Sequence, residues 1–142
     1  MRLETYLFFN GQCEAALAFY RESIGAETLF LLRFKDSAEA ADTPPDWQDK
    51  VMHATFRVGD RELMASDGMA GAKPKGFTGF SLSLAVDDFA AGEKLFTALS
   101  AGGQALIPWQ ATFWTKGYGM LSDRFGVPWM VSVAHDDEKK PS

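Results

Sequence analysis

Apolar and polar residues alternate in the first half of the chain in a way that predicts one strand, one helix and three further strands. Leu3 to Phe9 form a short apolar and aromatic run, and Asn10-Gly11 ends it as expected for a strand. Apolar residues then recur at helical spacing from Cys13 to Ile24, and Gly25 is placed to end that helix. The remaining strands are predicted at Thr28 to Phe34, Val51 to Val58 and Glu62 to Ser66.

The stretch from Lys35 to Lys50 interrupts this pattern. It is rich in Asp, Glu and Ala and contains the pair Pro44-Pro45, a composition that disfavours regular structure. We therefore predict a mobile surface loop here.

The second half of the chain repeats the same order of elements. A strand at Phe80 to Val86 precedes a helix that Asp87 or Asp88 can cap and that Gly102-Gly103 ends. Three more strands are predicted at Ala105 to Trp109, Tyr118 to Ser122 and Val127 to Val133.

An overlay of the two halves without gaps keeps their elements in phase. It pairs Phe19 with Phe96 in the helices, and it also aligns Phe8-Phe9-Asn10 with Ala85-Val86-Asp87, Gly25 with Gly102 and Leu29 with Leu106. Such a degenerate match is typical of an internal repeat. We predict an α+β fold of two βαβββ modules at 1–67 and 80–134, with a linker at 68–79 and a polar tail at 135–142.

Charge and composition narrow the class of protein. The 142 residues carry a net charge of -5 without a Lys/Arg cluster, which disfavours nucleic acid and anionic lipid as partners. Cys13 is the only cysteine, and no apolar run approaches the length of a membrane span. We expect a cytoplasmic protein that does not associate with membranes.

Two segments resemble the fingerprints of PhnB-like proteins in the vicinal oxygen chelate superfamily. They are YLFFNGQCEAALAFYRESIGAE near the start and WQATFWTKGYGMLSDRFGVPWMVSV near the end. The superfamily includes glyoxalase I, extradiol dioxygenases and bleomycin-resistance proteins. The resemblance implies curved mixed sheets that enclose a cavity, and a homodimer that completes it.

The resemblance also implies positions for a metal, in the first and last strands of each module. In this chain they fall at Thr5, Ser81, Met130 and either Leu63 or Met64. Hydroxyl and thioether groups are poor replacements for imidazole and carboxylate as metal ligands, so we expect no resident cofactor. A weakly bound divalent metal is the alternative. A register slip of one residue would instead bring Glu4 or Glu62 toward the cavity.

His53 is the one well-placed histidine, on the polar face of a strand next to Thr55. It could act as a base or ligand, but without a visible partner we favour a hydrogen-bonded strand histidine. We expect Asp67 and Glu62 to be solvated rather than to serve a pocket. His135 is expected to be solvated as well.

Two further residues have structural interpretations. Asp123 is expected to shape a turn, because Asp readily accepts hydrogen bonds from nearby backbone N–H groups. Cys13 is expected to be a small buried apolar residue, since no basic partner that would activate it is apparent.

Aromatic residues are concentrated in the second fingerprint, with polar residues between them. Rings with polar neighbours suit the recognition of a flat small molecule, although core packing or a dimer interface is an equal alternative for any single ring. The candidate ligand contacts, with His53, are Trp109, Phe113, Trp114, Lys116 and Trp129.

The function we predict is binding of a small aromatic or amphipathic organic molecule. One alternative is a glyoxalase-like lyase or isomerase, or a dioxygenase-type enzyme, with a rebuilt site that uses His53 and a carboxylate. Another is an interaction subunit. PhnB-like proteins are often described as methyltransferases acting on a ubiquinone precursor, but no G-x-G turn opens a helix here, so we reject that activity.

Overall fold

The computed structural model describes residues 1–135. The predicted tail at 135–142 therefore lies outside the described residues except for His135, which is exposed. The chain divides into two compact units, Met1–Lys75 and Gly76–Ser142. Neither helix described in residues 1–135 is long and apolar enough to cross a membrane.

The N-terminal unit is a βαβββ module with a four-stranded mixed sheet. Its strands lie in the order β1-β4-β3-β2, with β1 parallel to β4 and the other neighbours antiparallel. Gly25 ends the helix in the left-handed conformation, at a φ of 71°, as the sequence predicted. The elements are β1 (Tyr6–Phe8), α1 (Cys13–Ile24), β2 (Glu27–Arg33), β3 (Val51–Val58) and β4 (Arg61–Ser66).

One face of this sheet is packed against α1. Tyr20 of the helix lies with its ring centroid 6.3 Å from Phe9 and 6.1 Å from Phe56. Leu7, Ala54, Leu63 and Ala65 are buried on the same side. Because side chains alternate along a strand, the intervening residues point to the opposite side, which we call the open face. The open face carries Tyr6, Phe8, Phe30, His53, Thr55 and Met64.

The loop between β2 and β3 is more ordered than the sequence predicted. It contains three short 3-10 turns, at Phe34–Asp36, Ala40–Asp42 and Pro45–Trp47. The indole Nε1 of Trp47 donates to the carbonyl of Gly68 at 3.0 Å, and Lys50 Nζ donates to the carbonyl of Gly11 at 3.0 Å. The prediction of a segment without regular structure is wrong, because distant backbone carbonyls provide the hydrogen bonds that hold it.

The C-terminal unit has the same order of elements, and its strands lie in the order β5-β8-β7-β6. This order corresponds strand for strand to that of the first unit, so the predicted repeat of βαβββ modules is confirmed. Asp88, rather than Asp87, caps the helix by accepting a hydrogen bond from the N–H of Ala91 at 2.8 Å. The elements are β5 (Leu82–Val86), α2 (Phe89–Ser100), β6 (Gln104–Gln110), β7 (Tyr118–Ser122) and β8 (Pro128–Val133).

Asp123 organises the turn between β7 and β8. Its carboxylate accepts hydrogen bonds from the N–H groups of Phe125 and Val127, at 2.8 and 3.0 Å, and from Trp129 Nε1 at 2.9 Å. The turn role that the sequence predicted is thus confirmed. The bond from Trp129 also links the turn to the buried core of the unit.

Candidate functional site

Aromatic side chains form an exposed patch on the open face of the N-terminal sheet. Phe8 and Phe30 retain 59% and 52% of their accessible surface, and Tyr6 is also exposed. Tyr6 and Phe8 stack with their ring centroids 4.9 Å apart. The ring of His53 lies 5.6 Å from Tyr6 and 6.1 Å from Phe30. We call Tyr6, Phe8, Phe30 and His53 the aromatic patch.

Strand register places these residues side by side. Tyr6 is opposite Met64, Met64 is opposite Thr55, and Thr55 is opposite Phe30. A register shift between Thr28 and Phe30 in β2 brings the Phe30 ring onto this face. The sequence analysis missed Tyr6, Phe8 and Phe30. The signal that could have found two of them is the run of aromatic residues at the start of the chain. In this run Tyr6 and Phe8 lie on one face and Phe9 lies on the other.

His53 is fixed by a hydrogen bond across the sheet. Its Nδ1 lies 2.8 Å from the Tyr6 hydroxyl, and its Nε2 lies 3.4 Å from Thr55 Oγ1. A hydrogen-bonded strand histidine was the favoured interpretation from sequence. Its partner was not predictable, because Tyr6 reaches His53 from β1 across the intervening β4. Burial raises the pKa of Tyr6, which keeps this hydroxyl protonated.

The charged residues near the start of the sheet are paired with one another. Arg2 forms ion pairs with Glu4 and, at 3.7 Å, with Glu62. Arg57 pairs with Glu27 at 2.5 Å. Arg2 thus lies beside both the Glu4 and the Glu62 carboxylate.

The strand register shows which face each position that the family resemblance assigns to a metal occupies in the N-terminal unit. Thr5 alternates with Leu7 and Phe9, which are buried toward α1, so that Tyr6 and not Thr5 shares the open face with Met64. Of the two predicted alternatives for the last strand, Leu63 and not Met64 therefore shares a face with Thr5. Ser81 and Met130 lie in the other unit and offer a hydroxyl and a thioether. Among residues 1–135, no group of three or more His, Cys, Asp or Glu side chains is arranged to hold a metal ion.

Asp67 has a structural position that the sequence did not indicate. It is only 2% exposed, and its carboxylate accepts hydrogen bonds of 2.8 Å from the N–H groups of Gly11, Cys13 and Val51. The expectation of a solvated carboxylate is therefore wrong. Because Asp67 directly follows β4, these bonds join the end of β4 to the start of α1 and to the start of β3.

Cys13 is fully buried beside Asp67. Burial raises the pKa of its thiol, and the nearby carboxylates of Asp67 and Glu14 raise it further. The thiol is therefore protonated at neutral pH, in agreement with the interpretation of a buried apolar residue.

Two of the predicted ligand contacts are exposed rings in the C-terminal unit. Phe113 is fully exposed and Trp114 is 47% exposed. The Trp114 ring lies edge-on to Tyr118, with centroids 4.8 Å apart. The turn that carries them is closed by a bond from the N–H of Thr112 to the carbonyl of Thr115 at 2.9 Å. Lys116, at the end of the same turn, is exposed.

The other two predicted tryptophans are packed within the C-terminal unit. Trp129 is 2% exposed and bonded to Asp123. Trp109 is half-buried against α2, with its ring 5.4 Å from Phe89 and 6.2 Å from Phe96. A Cβ built on Gly92 would lie 2.3 Å from this indole, so Gly92 leaves room for it. For both rings the structure shows the core packing that was the alternative to ligand contact.

The arrangement of two βαβββ modules defines the class of protein. A glyoxalase-related enzyme from Fulvimarina pelagi superposes with a TM-score of 0.63 at 18% identity, covering 98% of this chain and 96% of its own. At that identity the likeness shows the fold alone. The fold is that of the glyoxalase and bleomycin-resistance proteins.

Sequence comparison gives the family. A profile described as 3-demethylubiquinone-9 3-methyltransferase matches residues 1–132. Protein YjdN of Escherichia coli is 37% identical over 141 residues, which cover 94% of this chain and 95% of YjdN. The chain therefore belongs to this PhnB-like family.

Solved structures of similar proteins agree with this assignment. Protein PA1353 of Pseudomonas aeruginosa is 43% identical, with a TM-score of 0.84 over 96% of this chain and 99% of its own. The PhnB protein of Bacillus cereus is 25% identical, with a TM-score of 0.79 over 94% of this chain and 100% of its own.

Proposed function

We propose that this protein binds a small, planar, aromatic or amphipathic organic molecule on the open face of its N-terminal sheet. The observation that carries the proposal is the aromatic patch, in which Phe8 and Phe30 expose more than half of their surface on either side of a fixed His53. A contiguous group of exposed rings around a few polar atoms suits a ligand better than it suits solvent.

The geometry of the patch supports stacking. Tyr6 and Phe8 are inclined by only 24°, so they form a nearly continuous aromatic surface. A flat ligand laid on this surface would gain apolar burial and ring contacts together. Because the tyrosine hydroxyl is already bonded to His53, the stacking surface is held in place before any ligand arrives.

The exposed turn of the C-terminal unit supplies a second group of candidate contacts. Trp114 with Tyr118, together with Phe113 and Lys116, combines exposed rings with a cationic side chain on one hydrogen-bonded turn. We propose that this turn is by itself a second candidate surface for an amphipathic molecule, which requires both kinds of group.

Calorimetric titration with a set of planar aromatic molecules tests the proposal. Changing Phe8 to Ala or Phe30 to Ala should weaken binding by about 1–3 kcal/mol, the loss expected when an exposed stacking ring is truncated. Met69 to Ala is the matched control, since Met69 is a large exposed apolar residue outside the patch and outside the strands and helices. Equal weakening in all three variants, or no binding by the unchanged protein, would remove the proposal.

The homodimer that the family resemblance implies remains a prediction. Light scattering at micromolar concentration should give twice the monomer mass. A monomer mass under those conditions would contradict it.

The bond between Tyr6 and His53 favours an enzyme as the second candidate function. An imidazole that is held by a phenol, and whose other nitrogen makes only a 3.4 Å contact with Thr55, is an arrangement suited to proton transfer. Elemental analysis after dialysis separates the two candidates in part. A divalent metal near one equivalent per chain, lost on changing His53 to Ala, would favour the enzyme. We expect a metal content below about a tenth of an equivalent, because the residues at the family's metal positions offer no imidazole and no carboxylate.

The methyl transfer named in the family's description is not part of this proposal. A typical methyltransferase cradles its cofactor in a glycine-rich turn at the end of a parallel sheet. In residues 1–135, parallel pairing is limited to β1 with β4 and β5 with β8. Neither of these two helices begins at a G-x-G turn, since α2 begins at an aspartate cap and Gln12 precedes α1.

A further inference from the structure

We infer that the molecule bound at the aromatic patch carries an oxygen atom on its planar ring system, as phenols and aryl ketones do, and that this oxygen bonds His53 Nε2 and Thr55 Oγ1. The inference rests on the binding function proposed above and names the chemical class of its ligand.

The two polar atoms form a small polar site within an apolar surface. Thr55 lies between Met64 and Phe30 in the strand register, and His53 lies between the rings of Tyr6 and Phe30. A ligand that covered this surface without a polar atom of its own would take both groups out of water without compensation. Such a loss disfavours binding, because a polar group buried without a partner keeps its desolvation cost. The patch therefore discriminates against purely apolar molecules.

The two nitrogens of His53 are in different situations. Nδ1 is engaged by the Tyr6 hydroxyl at 2.8 Å, a full hydrogen bond. Nε2 lies 3.4 Å from Thr55 Oγ1, which is beyond the usual range for such a bond. A ligand oxygen that approaches Nε2 therefore displaces only a weak contact, and the threonine hydroxyl can rotate to meet the same oxygen.

Either tautomer of His53 accommodates a ring oxygen. When Tyr6 donates to Nδ1, the proton of the neutral imidazole is on Nε2, which then donates to a carbonyl or a hydroxyl oxygen. When Nδ1 donates to Tyr6, Nε2 accepts from a hydroxyl. A phenol satisfies both arrangements, whereas a ketone satisfies only the first.

The charges beside the patch favour an uncharged oxygen. Arg2 is paired with Glu4 and Glu62, and Arg57 is paired with Glu27, so these guanidinium groups are already compensated by carboxylates. A ligand carboxylate would have to compete with these pairs. A neutral hydroxyl or carbonyl would not.

Three matched probes test the inference: naphthalene, 2-naphthol and 2-acetylnaphthalene, titrated calorimetrically into the full-length protein. We expect 2-naphthol to bind about 3- to 10-fold more tightly than naphthalene, the gain of one neutral hydrogen bond. His53→Phe keeps a ring in the patch but removes both ring nitrogens, and should reduce this ratio to about one. Thr55→Val, of the same shape, should reduce the ratio in part, and Met69→Ala should leave it unchanged.

The outcomes separate failure of the proposed binding function from failure of the ring-oxygen inference. If none of the three probes binds, the proposed binding function fails. If naphthalene and 2-naphthol bind equally, or if their ratio is the same in His53→Phe as in the unchanged protein, the ring-oxygen inference is overturned while the binding function stands. If His53→Phe binds naphthalene, the variant still folds. In the unchanged protein, a shift of the His53 imidazole nitrogen signals on adding 2-naphthol would support the contact directly.

Discussion

The helices of the two modules begin in different ways although the modules share one fold. In α2 the cap is local, since Asp88 accepts the N–H of Ala91 three residues later. In α1 the cap residue Gln12 makes no side-chain bond, and the N–H of Cys13 is instead satisfied by Asp67, 54 residues further along the chain. A local cap stabilises one helix end, whereas a distant carboxylate also ties the helix to the sheet.

The two sheets also differ, in the residues on the surface opposite the helix. The surface of the N-terminal sheet opposite its helix carries the aromatic patch. The corresponding surface of the C-terminal sheet, which alternates with the buried Trp129 and Val131, carries one aromatic residue, Tyr118, beside Ser83, Met120, Met130 and Ser132. The two modules thus share one scaffold, while the residues on the surfaces opposite their helices differ.

The largest effect is expected from changing Asp67 to Ala. The substitution leaves the N–H groups of Gly11, Cys13 and Val51 without their carboxylate, and hydrogen bonds to a charged group are worth more than neutral ones. We expect the free energy of unfolding to fall by at least about 3 kcal/mol. Urea denaturation followed by circular dichroism measures it, and a loss no greater than that of Asp88→Ala would remove the distinction between the two helix starts.

The same contrast explains how much was predictable from the sequence. The repeat, both helices, the exact bounds of β3 and β7 and the turn at Asp123 follow from local patterns, and all were predicted. Asp67, the bond between Tyr6 and His53, and the anchoring of the 35–50 loop by Trp47 depend on residues brought together by strand order. A tryptophan within that polar, proline-containing segment was the available signal that the loop is packed.

The second largest effect is expected on ligand binding, at the exposed ring of Trp114. Changing Trp114 to Ala should weaken ligand binding by about 1–3 kcal/mol and leave the fold largely intact, because this ring is exposed and contacts Tyr118 edge-on. Titration of Trp114→Ala beside Phe8→Ala compares the two units directly. Unfolding of Trp114→Ala at ordinary temperature, without a separate effect on binding, would assign the ring to the core instead.

A smaller effect is expected at the local cap. Asp88→Ala removes a single hydrogen bond to the N–H of Ala91 at an exposed position, which typically costs about 1 kcal/mol. Asp87→Ala is the matched control, since Asp87 is the neighbouring exposed aspartate and does not cap the helix. Equal losses in the two variants would show that the cap contributes nothing particular.

The smallest effect is expected at the ion pair that supports the start of α1. Glu14 accepts hydrogen bonds from Arg33 at 2.6 and 3.2 Å, and this guanidinium holds the pKa of the Glu14 carboxyl below its ordinary value. A carboxyl with a lowered pKa in the folded state contributes stability that is fully present above the unfolded pKa of about 4.3 and is lost as the pH falls through the folded value. The Glu14 side chain is 63% exposed, so solvent screening reduces the contribution to about 0.5 kcal/mol or less. Glu14→Gln should therefore lower the free energy of unfolding slightly at pH 7 and by less at pH 3, whereas Glu22→Gln, on the exposed side of the same helix, should change it at neither pH. A difference of the same size at both pH values would mean that the glutamate acts through packing of its side chain and not through its charge.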